Sequence, residues 1–433
     1  MQAMQDSNIP WLGSVPSHWN RGKLKQYIFE ISEKNSPVKT TDILSLTNKL
    51  GVVPYEEKGN QGNTAKEKYD EYKLAYPDTI VANSMNILIG SVGYCAYFGC
   101  VSPVYYVFKN LKNGNLKYIN YIFQTTEFQK CLRQFSNGIL EIRQRVSAKT
   151  ILNQDFFFPT LDEQNKIVEY LDTKCAQIDT IIAREQSVIE KLQEYKRAII
   201  TNAVVKGLDL TVEMVDSGIE WIDSIPNHWK IKRLIFSAYI RARLGWKGLK
   251  ADEYTSEGHP FLSAVNIQND KLVWEDLNFI NDNRYDESPE IKLELGDLLL
   301  VKDGAGIGKC AVVDQLPYGT ATTNSSLGVI TPYPELNSMY LYYFFESAIF
   351  QNYISRIKNG MGVPHLTQGN LKNIMVVIPP YCEQEAIVAY LDEKCSNLDS
   401  IILKKQSLIN KLTEYKQSLI YEVATGKKEV PYV

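Results

Sequence analysis

One segment of the sequence has the residue types of a phosphate-binding loop. In Asp303-Gly-Ala-Gly-Ile-Gly-Lys309-Cys310, three glycines precede a lysine. The GxxxxGK[ST] motif is not met, because Asp303 stands at its first glycine and Cys310 lacks the hydroxyl that binds magnesium. Two interpretations stay open. The segment forms a structural turn, or it brings its backbone and Lys302 or Lys309 close to a ligand.

Other arrangements that could support catalysis or metal binding are missing from the sequence. Ile378-Pro-Pro-Tyr381 is similar to the Asn/Asp-Pro-Pro-Tyr motif of amino-methyltransferases, but Ile378 has no polar group to hold an exocyclic amine. No GxGxxG follows a predicted strand, so a nucleotide cofactor has no cradle. The four histidines offer no catalytic triad, and equivalent Pro-x-His-Trp segments favour packing for His18 and His228. Seven scattered cysteines without a CxxC predict neither a zinc site nor disulfides.

Side chains that suit DNA occur in both halves of the chain. Arginine and lysine supply phosphate contacts, bidentate arginine can read guanine, and asparagine, Asn266 among others, can read adenine. Residues 141–149 and 241–248 form two basic clusters. A single residue of these types is more typical of a solvated surface. For the clusters, DNA binding and a solvated surface are equally good interpretations. The candidate DNA-binding residues are Asn48, Asn83, Asn86, Arg143, Arg145, Lys149, Arg241, Arg243, Lys247, Lys302, Lys309, Asn324 and His365.

Charge is distributed unevenly along the chain. The net charge is −3, yet residues 21–158 hold 18 Lys and Arg against 12 Asp and Glu, whereas residues 230–378 hold 15 against 16. A DNA-binding protein needs local positive faces rather than a basic total. The first region has a basic excess. The second must concentrate its basic residues or depend less on phosphates.

The chain repeats itself once. The segment from Trp11 to Trp19 returns at 221–229, and residues 159–200 return at 379–420. The matches include Glu163-Gln164 with Glu383-Gln384 and Glu194-Tyr195-Lys196 with Glu414-Tyr415-Lys416. We call these matched pieces the duplicated frame. Between them the two halves diverge, which indicates a duplication whose inserted regions were free to differ.

The matched segments at 159–207 and 379–433 predict two long helices. Each carries an apolar a/d stripe that suits another helix, and Gly207 and Gly426 stand where the helices should stop. Their order along the chain predicts an antiparallel pair about a pseudo-two-fold, with the opposite charges of Glu185 and Lys405 close together. The alternatives are ordinary core helices, and a Glu185 and Lys405 that both reach solvent. The predicted seam residues are Leu171, Ile178, Ile182, Glu185, Ile189 and Leu192, and Leu391, Leu398, Ile402, Lys405, Ile409 and Leu412.

The regions 1–158 and 208–378 are predicted to be α+β domains of one fold, the second opening with an acidic linker at 208–229. The fold class is therefore α+β: two mixed α/β domains separated by two long antiparallel coiled-coil helices, with a pseudo-two-fold internal duplication. The first 10 residues show no signal peptide, and the most apolar stretches are only strand-sized, so a cytoplasmic protein is expected. The predicted strands are 43–46, 79–81, 87–89, 104–108, 261–265, 297–301, 311–313 and 327–330, and the predicted domain helices are 118–135 and 339–357.

The duplicated frame resembles that of Type I restriction-modification specificity (S) subunits over essentially the whole chain. In the first region Asn83, Gly90, Gly99 and Val101-Ser-Pro103-Val-Tyr105 also look like a common target-recognition pattern. The second region matches a different variant of that pattern, with Gly245, Gly248 and Leu295-Gly-Asp297.

This resemblance implies a non-catalytic DNA-binding subunit. Each variable domain would read one half of a bipartite, asymmetric site in double-stranded DNA, and the helices would set the gap. Two methyltransferase (M) subunits would dock on the helices, and two restriction (R) subunits would complete the complex. S-adenosylmethionine, ATP and Mg would bind to those partners, leaving no cofactor and no membrane contact for this chain. The alternatives are a standalone DNA methyltransferase or nuclease, and a coiled-coil adaptor that does not bind DNA.

Overall fold

The structure is a computed structural model of the chain. It describes residues 3–47, 51–59, 68–111, 114–136, 145–242, 253–269, 271–304, 306–359 and 365–431. The chain folds into two compact units, Met1–Gln186 with Gln406–Val433, and Ser187–Lys405. No helix in the described part of the chain is long and apolar enough to cross a membrane.

The described elements follow the predicted order of domain, long helix, domain, long helix. The first domain contains β1 (Met4–Asp6), β2 (Ser14–Pro16), β3 (Asn20–Lys23), β4 (Ile28–Ile31), β5 (Leu44–Thr47), β6 (Gly51–Pro54), β7 (Lys73–Ala75), β8 (Thr79–Asn83), β9 (Val92–Cys95), β10 (Gly99–Val101), β11 (Tyr105–Asn110), α1 (Leu116–Gln124), α2 (Thr126–Arg133), α3 (Ala148–Leu152) and β12 (Asp155–Phe158). The first long helix is α4 (Leu161–Lys206).

In the chain, the second domain follows the first long helix and precedes the second. It contains β13 (Met214–Ile219), β14 (Ile222–Pro226), β15 (Lys230–Arg233), β16 (Ala238–Arg241), β17 (His259–Leu262), β18 (Ile267–Gln268), β19 (Lys271–Leu272), β20 (Asn278–Ile280), α5 (Asp282–Asp286), β21 (Leu298–Val301), β22 (Cys310–Val312), β23 (Thr322–Thr323), β24 (Leu327–Pro332), α6 (Ser338–Glu346), α7 (Ala348–Asn359), α8 (Gln368–Lys372) and β25 (Met375–Ile378). The second long helix is α9 (Tyr381–Ala424).

Each domain contains a four-stranded antiparallel sheet, and the two sheets have the same topology. The strand order is β4-β11-β8-β9 in the first domain and β16-β24-β21-β22 in the second. In the register of these sheets Val107 lies opposite Ile31 and Val81, and Val329 lies opposite Arg241 and Leu299. This shared register assigns each position of one sheet to a position of the other, and it confirms the α+β fold with an internal duplication.

Each sheet packs against a core on both faces because the middle of its central strands is a continuous apolar run. In β21, Leu298 and Leu300 join the core that contains the helices, whereas Leu299 and Val301 join a smaller core on the other face. Successive strand residues point to opposite faces, so a continuous apolar run fills two layers. The second layer differs between the domains. It contains β5-β6 and β10-β7 in the first domain, and β20-β17-β23 and β18-β19 in the second.

Within each unit, one half of α4 packs antiparallel to one half of α9. In the first unit Leu171 and Ile178 share a core with Leu419, and Lys416 forms an ion pair with Asp179 at 2.7 Å. The second unit has the equivalent pair, Lys196 with Asp399 at 2.8 Å. Of the predicted seam residues, Leu171, Ile178, Ile189, Leu391, Leu398 and Ile409 are buried, and Ile182, Glu185, Leu192, Ile402, Lys405 and Leu412 are half-buried. Glu185 and Lys405 belong to different units, so their pairing stays a prediction.

Three local predictions are wrong, and a fourth, the strand at 261–265, is wrong in part, because its strand ends at Leu262 and Ala264–Asn266 form a 3-10 helix. Residues 87–89, predicted as a strand, form a short 3-10 helix that ends at Gly90 with a φ of 84°. The predicted helices at 118–135 and 339–357 are each broken in two, at Thr125 and at Ser347. At each break the hydroxyl donates to the carbonyl oxygen three residues earlier, Ile122 at 2.7 Å and Phe344 at 2.6 Å, and the backbone turns to extended geometry. Serine and threonine favour helix ends for this reason.

Candidate nucleic-acid interface

The duplicated frame attaches each domain to its long helix through one carboxylate. Glu163 accepts a hydrogen bond from the indole of Trp19 at 3.0 Å and bonds the ring of His18 at 3.1 Å. The same contacts join Glu383 to Trp229 at 2.9 Å and to His228 at 2.7 Å. Both histidines are exposed, and their packing role stays a prediction. The glutamate explains why the Pro-x-His-Trp segment and the helix start recur together.

A buried glutamine next to that carboxylate places the domain helices. Gln164 accepts from the backbone N–H of Asn115 at 2.8 Å, and Asn115 caps α1. Gln384 accepts from Asn337, which caps α6, also at 2.8 Å. A side-chain oxygen at such a cap satisfies N–H groups that the helix leaves unpaired. The frame therefore fixes the position of each sheet, which packs on these helices.

The two sheets present equivalent edges where the central strand ends. In the first domain the N–H of Val146 donates to the carbonyl of Ser84 at 3.4 Å, one residue beyond β8. In the second domain the N–H of Leu366 donates to Lys302 at 2.9 Å, one residue beyond β21. We call Ser84, Met85, Asn86 and Arg145 the first rim, and Lys302, Asp303, Gly304 and His365 the second rim.

The first rim combines an exposed cation with an exposed amide. Arg145 is exposed and its guanidinium lies 3.6 Å from the sulfur of Met85. Asn86 is exposed in the turn that follows β8. Asn83 is buried, and its side-chain oxygen accepts from the N–H of Met85 at 3.0 Å, so it shapes the turn that presents its neighbours. Lys149 is exposed on α3 and lines a pocket of about 580 Å³ with Arg21 and Phe135.

The second rim has a different set of polar groups. His365 is exposed, and its ring is hydrogen-bonded to the carboxylate of Asp303. Lys302 is buried, and burial lowers the pKa of its ammonium. The half-buried Asn324 accepts from the N–H of Ser326 at 3.0 Å, and the carbonyl of Ser326 accepts from the N–H of Lys302 at 2.8 Å. These bonds join the turn before β24 to the rim.

The glycine-rich segment connects β21 to β22 as a hairpin. Gly304 and Gly308 have φ values of 77° and 92°, which side-chain-bearing residues rarely adopt. Lys309 is exposed at the end of this hairpin. The turn interpretation therefore has a structural basis, whereas the approach of a ligand to Lys302 or Lys309 stays a prediction.

Comparison with known proteins identifies the family. The model of the Type I restriction modification DNA specificity domain matches twice, at residues 16–191 and 245–414. The chain belongs to this family. The MjaVIII specificity subunit of Methanocaldococcus jannaschii is 23% identical over 66% of this chain and 64% of its own length. The EcoKI specificity subunit of Escherichia coli K12 is 23% identical over 62% of this chain and 56% of its own. The chain thus matches less than two-thirds of either relative's length.

Solved structures share the fold. A chain from a study of complex assembly and conformational transition of the type I R-M system has a TM-score of 0.72 at 13% identity, covering 96% of this chain and 99% of its own. The HsdS subunit of Thermoanaerobacter tengcongensis has a TM-score of 0.50 at 14% identity, covering 96% and 98%. The two domains and long helices of this specificity-domain protein are therefore those of its family.

Some candidate residues of this specificity-domain protein lie away from the rims. The guanidinium of Arg241 is buried against Asp297, with nitrogen–oxygen distances of 2.7 Å, and also donates to the carbonyl of Lys292 at 2.6 Å. Asn266 is buried and accepts from the N–H of Ser263 at 2.9 Å. Because these groups are used inside the domain, we leave both residues out of the proposed interface. Asn48, Arg143, Arg243 and Lys247 lie outside the described residues.

The sequence analysis missed a set of exposed apolar residues on the long helices. Ile181 and Tyr415 are exposed in the first unit, and Ile401 and Tyr195 are exposed in the second. The four are repeat mates, Ile181 with Ile401 and Tyr195 with Tyr415. A signal was available, because these side chains recur in both copies of the frame although they lie outside the a/d stripe.

The described residues hold no group of three or more His, Cys, Asp or Glu side chains that could bind a metal ion. All seven cysteines are free thiols. Burial raises the pKa of the Cys100 and Cys395 thiols to about 11, so the reactive thiolate form of both is disfavoured.

Proposed function

We propose that this chain is the specificity subunit of a Type I restriction-modification complex and that it reads a two-part, asymmetric site in double-stranded DNA. One observation carries the proposal. The two domains have the same sheet topology and the same duplicated frame, and they present rims at equivalent positions. The rims differ in their polar groups. Arg145 and Asn86 face one half of the site, and Lys302, Lys309, Asn324 and His365 face the other. Different rims on one scaffold suit two different sequences.

The rims suit both kinds of DNA contact. Arginine and lysine bind phosphates at any sequence, and bidentate arginine or asparagine distinguishes guanine or adenine in the major groove. Of the wider candidate set, Lys149 lies on the helix that follows Arg145. Asn48 and Arg143 stay sequence-based candidates for the same half of the site. The long helices separate the two domains along the chain and set the length of the unread gap.

The helices also provide docking faces for two methyltransferase subunits. Ile181 and Tyr415 are exposed in the first unit, and their repeat mates Ile401 and Tyr195 are exposed in the second, so each unit offers an equivalent pair of exposed apolar residues. Tyrosine and apolar side chains that a free chain exposes are typical of interface cores. Duplicated pairs suit two identical partners on one asymmetric chain. Two restriction subunits complete the complex.

Chemistry belongs to the partners in this proposal. The chain contributes no catalytic group, and S-adenosylmethionine, ATP and Mg bind to the methyltransferase and restriction subunits. The complex acts in the cytoplasm, where the host DNA lies.

The test is methylome sequencing of a host that expresses this chain with its methyltransferase partner. We expect methylated adenines at one asymmetric motif made of two specified parts and an unspecified gap. The matched control expresses the methyltransferase alone and should show no such motif. Methylation by this chain without a partner, or a single continuous motif, would contradict the proposal.

A further inference from the structure

Lys302 combines a deeply buried side chain with an ammonium that no described residue pairs directly. Its side chain is 7% exposed. Within the described part of the chain its ammonium has neither a hydrogen bond nor an ion pair. The carboxylate of Asp303 favours the charged form of Lys302, but burial has the larger effect on its pKa, and Asp303 is hydrogen-bonded to His365. Holding a charged lysine in a mostly buried position without a directly bonded partner is costly, so such groups are rarely kept unless they bind something.

The surroundings of Lys302 are built to hold its stem. A Cβ at Gly328 would lie 3.3 Å from the Cδ of Lys302 and 3.1 Å from the side chain of Leu371. The glycine of β24 therefore leaves room for the lysine stem between the sheet and α8. The backbone of Lys302 is fixed on both sides, since its N–H donates to Ser326 at 2.8 Å and its carbonyl accepts from Leu366 at 2.9 Å. The stem is thus held before any ligand arrives.

The first domain fills the same space differently. The shared sheet register assigns Lys302 to Ser84 and Gly328 to Tyr106. The ring of Tyr106 occupies the volume near α3, and its hydroxyl donates to the carbonyl of Val146 at 3.1 Å. A large side chain with a satisfied polar end therefore stands where the second domain has a glycine and a charged lysine. Packing alone does not require the charge.

We propose that Lys302 is a preorganised anion-binding group that takes a phosphodiester of the DNA at the second rim. The inference rests on the proposed function and names the DNA group that this buried side chain binds. A phosphate oxygen supplies the missing partner for the ammonium, and it restores the charge balance that burial removes. An already ordered lysine loses little rotamer entropy on binding, which favours it over the exposed Lys309.

The free protein should show the cost of holding this group. Because burial lowers the pKa of Lys302 below its usual value of 10.5, the unfolded chain binds the proton more tightly than the folded chain. The contribution of Lys302 to the free energy of unfolding therefore becomes more favourable as pH rises between the lowered pKa and 10.5. At neutral pH the charged lysine destabilises the fold. Removing the charge while keeping the stem should stabilise the chain.

The test is Lys302→Met in the full chain, measured by thermal unfolding and by binding to a labelled duplex of mixed sequence of about 30 base pairs over about 50–200 mM salt. We expect a melting temperature at or above that of the unmodified chain. Binding at low salt should weaken roughly tenfold. The slope of log affinity against log salt should fall by about 0.9, as expected for one lost phosphate contact. The loss should be the same for every duplex sequence.

Lys232→Met is the matched control, because its ammonium lies in the same domain and is paired with Glu335 at 2.7 Å. That variant should leave the salt slope unchanged and should not raise the melting temperature. Three results would each overturn the assignment of Lys302. The slope of log affinity against log salt could stay unchanged in Lys302→Met, or binding could change at only one base position. The variant could also unfold more readily than the control. Failure of the unmodified chain to bind any duplex would instead overturn the proposed function.

Discussion

The two domains have sheets of the same topology, but different buried side chains stabilise them. In the second domain Arg241 and Asp297 form an ion pair whose side chains are 8% and 0% exposed. The shared register places Ile31 and Thr79 at those positions in the first domain. The same two positions of one fold therefore hold isoleucine and threonine in the first domain and a buried ion pair in the second. The scaffold fixes the backbone and leaves side-chain chemistry free to differ.

The same contrast holds at the rims, where it bears on function. Arg145 and His365 each stand one residue before an equivalent backbone contact, yet one lies against a methionine and the other against a carboxylate. By contrast, Glu163 and Glu383, which attach the domains to the helices, keep identical partners. The rims, where DNA would bind, differ, whereas the contacts that attach the domains to the helices are kept.

The largest expected effect comes from breaking the buried ion pair. Arg241→Met leaves Asp297 buried without a counter-charge, which should cost about 3–5 kcal/mol in the free energy of unfolding. The double variant Arg241→Ile with Asp297→Thr installs the first domain's residues and should recover most of that loss. Urea unfolding of the three chains measures both effects. A double variant as unstable as the single one would show that the two sheets are not interchangeable here.

Next in size is the loss of partner docking at the exposed tyrosines. Tyr195→Ala and Tyr415→Ala should each weaken one methyltransferase contact by about 2–4 kcal/mol, the size seen for aromatic anchors at interface centres. Mass photometry should find one bound subunit with either single variant and none with both. Gln193→Ala, an exposed change on the same helix, should keep two. Loss of both subunits from one single variant would contradict equivalent faces.

A smaller effect is expected at the first rim. Arg145→Ala should weaken DNA binding by about 1–3 kcal/mol, at one base position if the arginine reads a base and at all sequences if it binds a phosphate. His365→Ala should alter only contacts to the other half. Lys130→Ala, an exposed change on α2, serves as the control for both. Affinity unchanged in Arg145→Ala at moderate salt would remove this residue from the interface.

The smallest effect concerns the middle of the long helices. A double-mutant cycle on Glu185→Ala and Lys405→Ala should give a coupling energy of about 0.5 kcal/mol, because a half-exposed ion pair gains little over solvent. The favourable sign would place the opposite charges near one another and support the predicted antiparallel register. A coupling of zero would mean that both side chains reach solvent separately.

The repeat and the a/d stripe sufficed to predict the architecture, because long-range identity and heptad spacing depend only on the order of residues. Local breaks were harder to predict. Thr125 and Ser347 end helices through side-chain bonds that periodicity does not reveal. The sequence alone suggested that Arg241 is a surface cation, because its partner Asp297 lies 56 residues further along the chain.

The central claim is that each domain reads its own half of the DNA site, and a hybrid chain tests it most directly. Residues 21–158 are replaced by the equivalent region of a relative, and the host methylome is sequenced with the same methyltransferase partner. We expect one half of the methylated motif to change, with the other half and the gap retained, since the second rim and both long helices are untouched. A motif altered in both halves would contradict two independently reading domains.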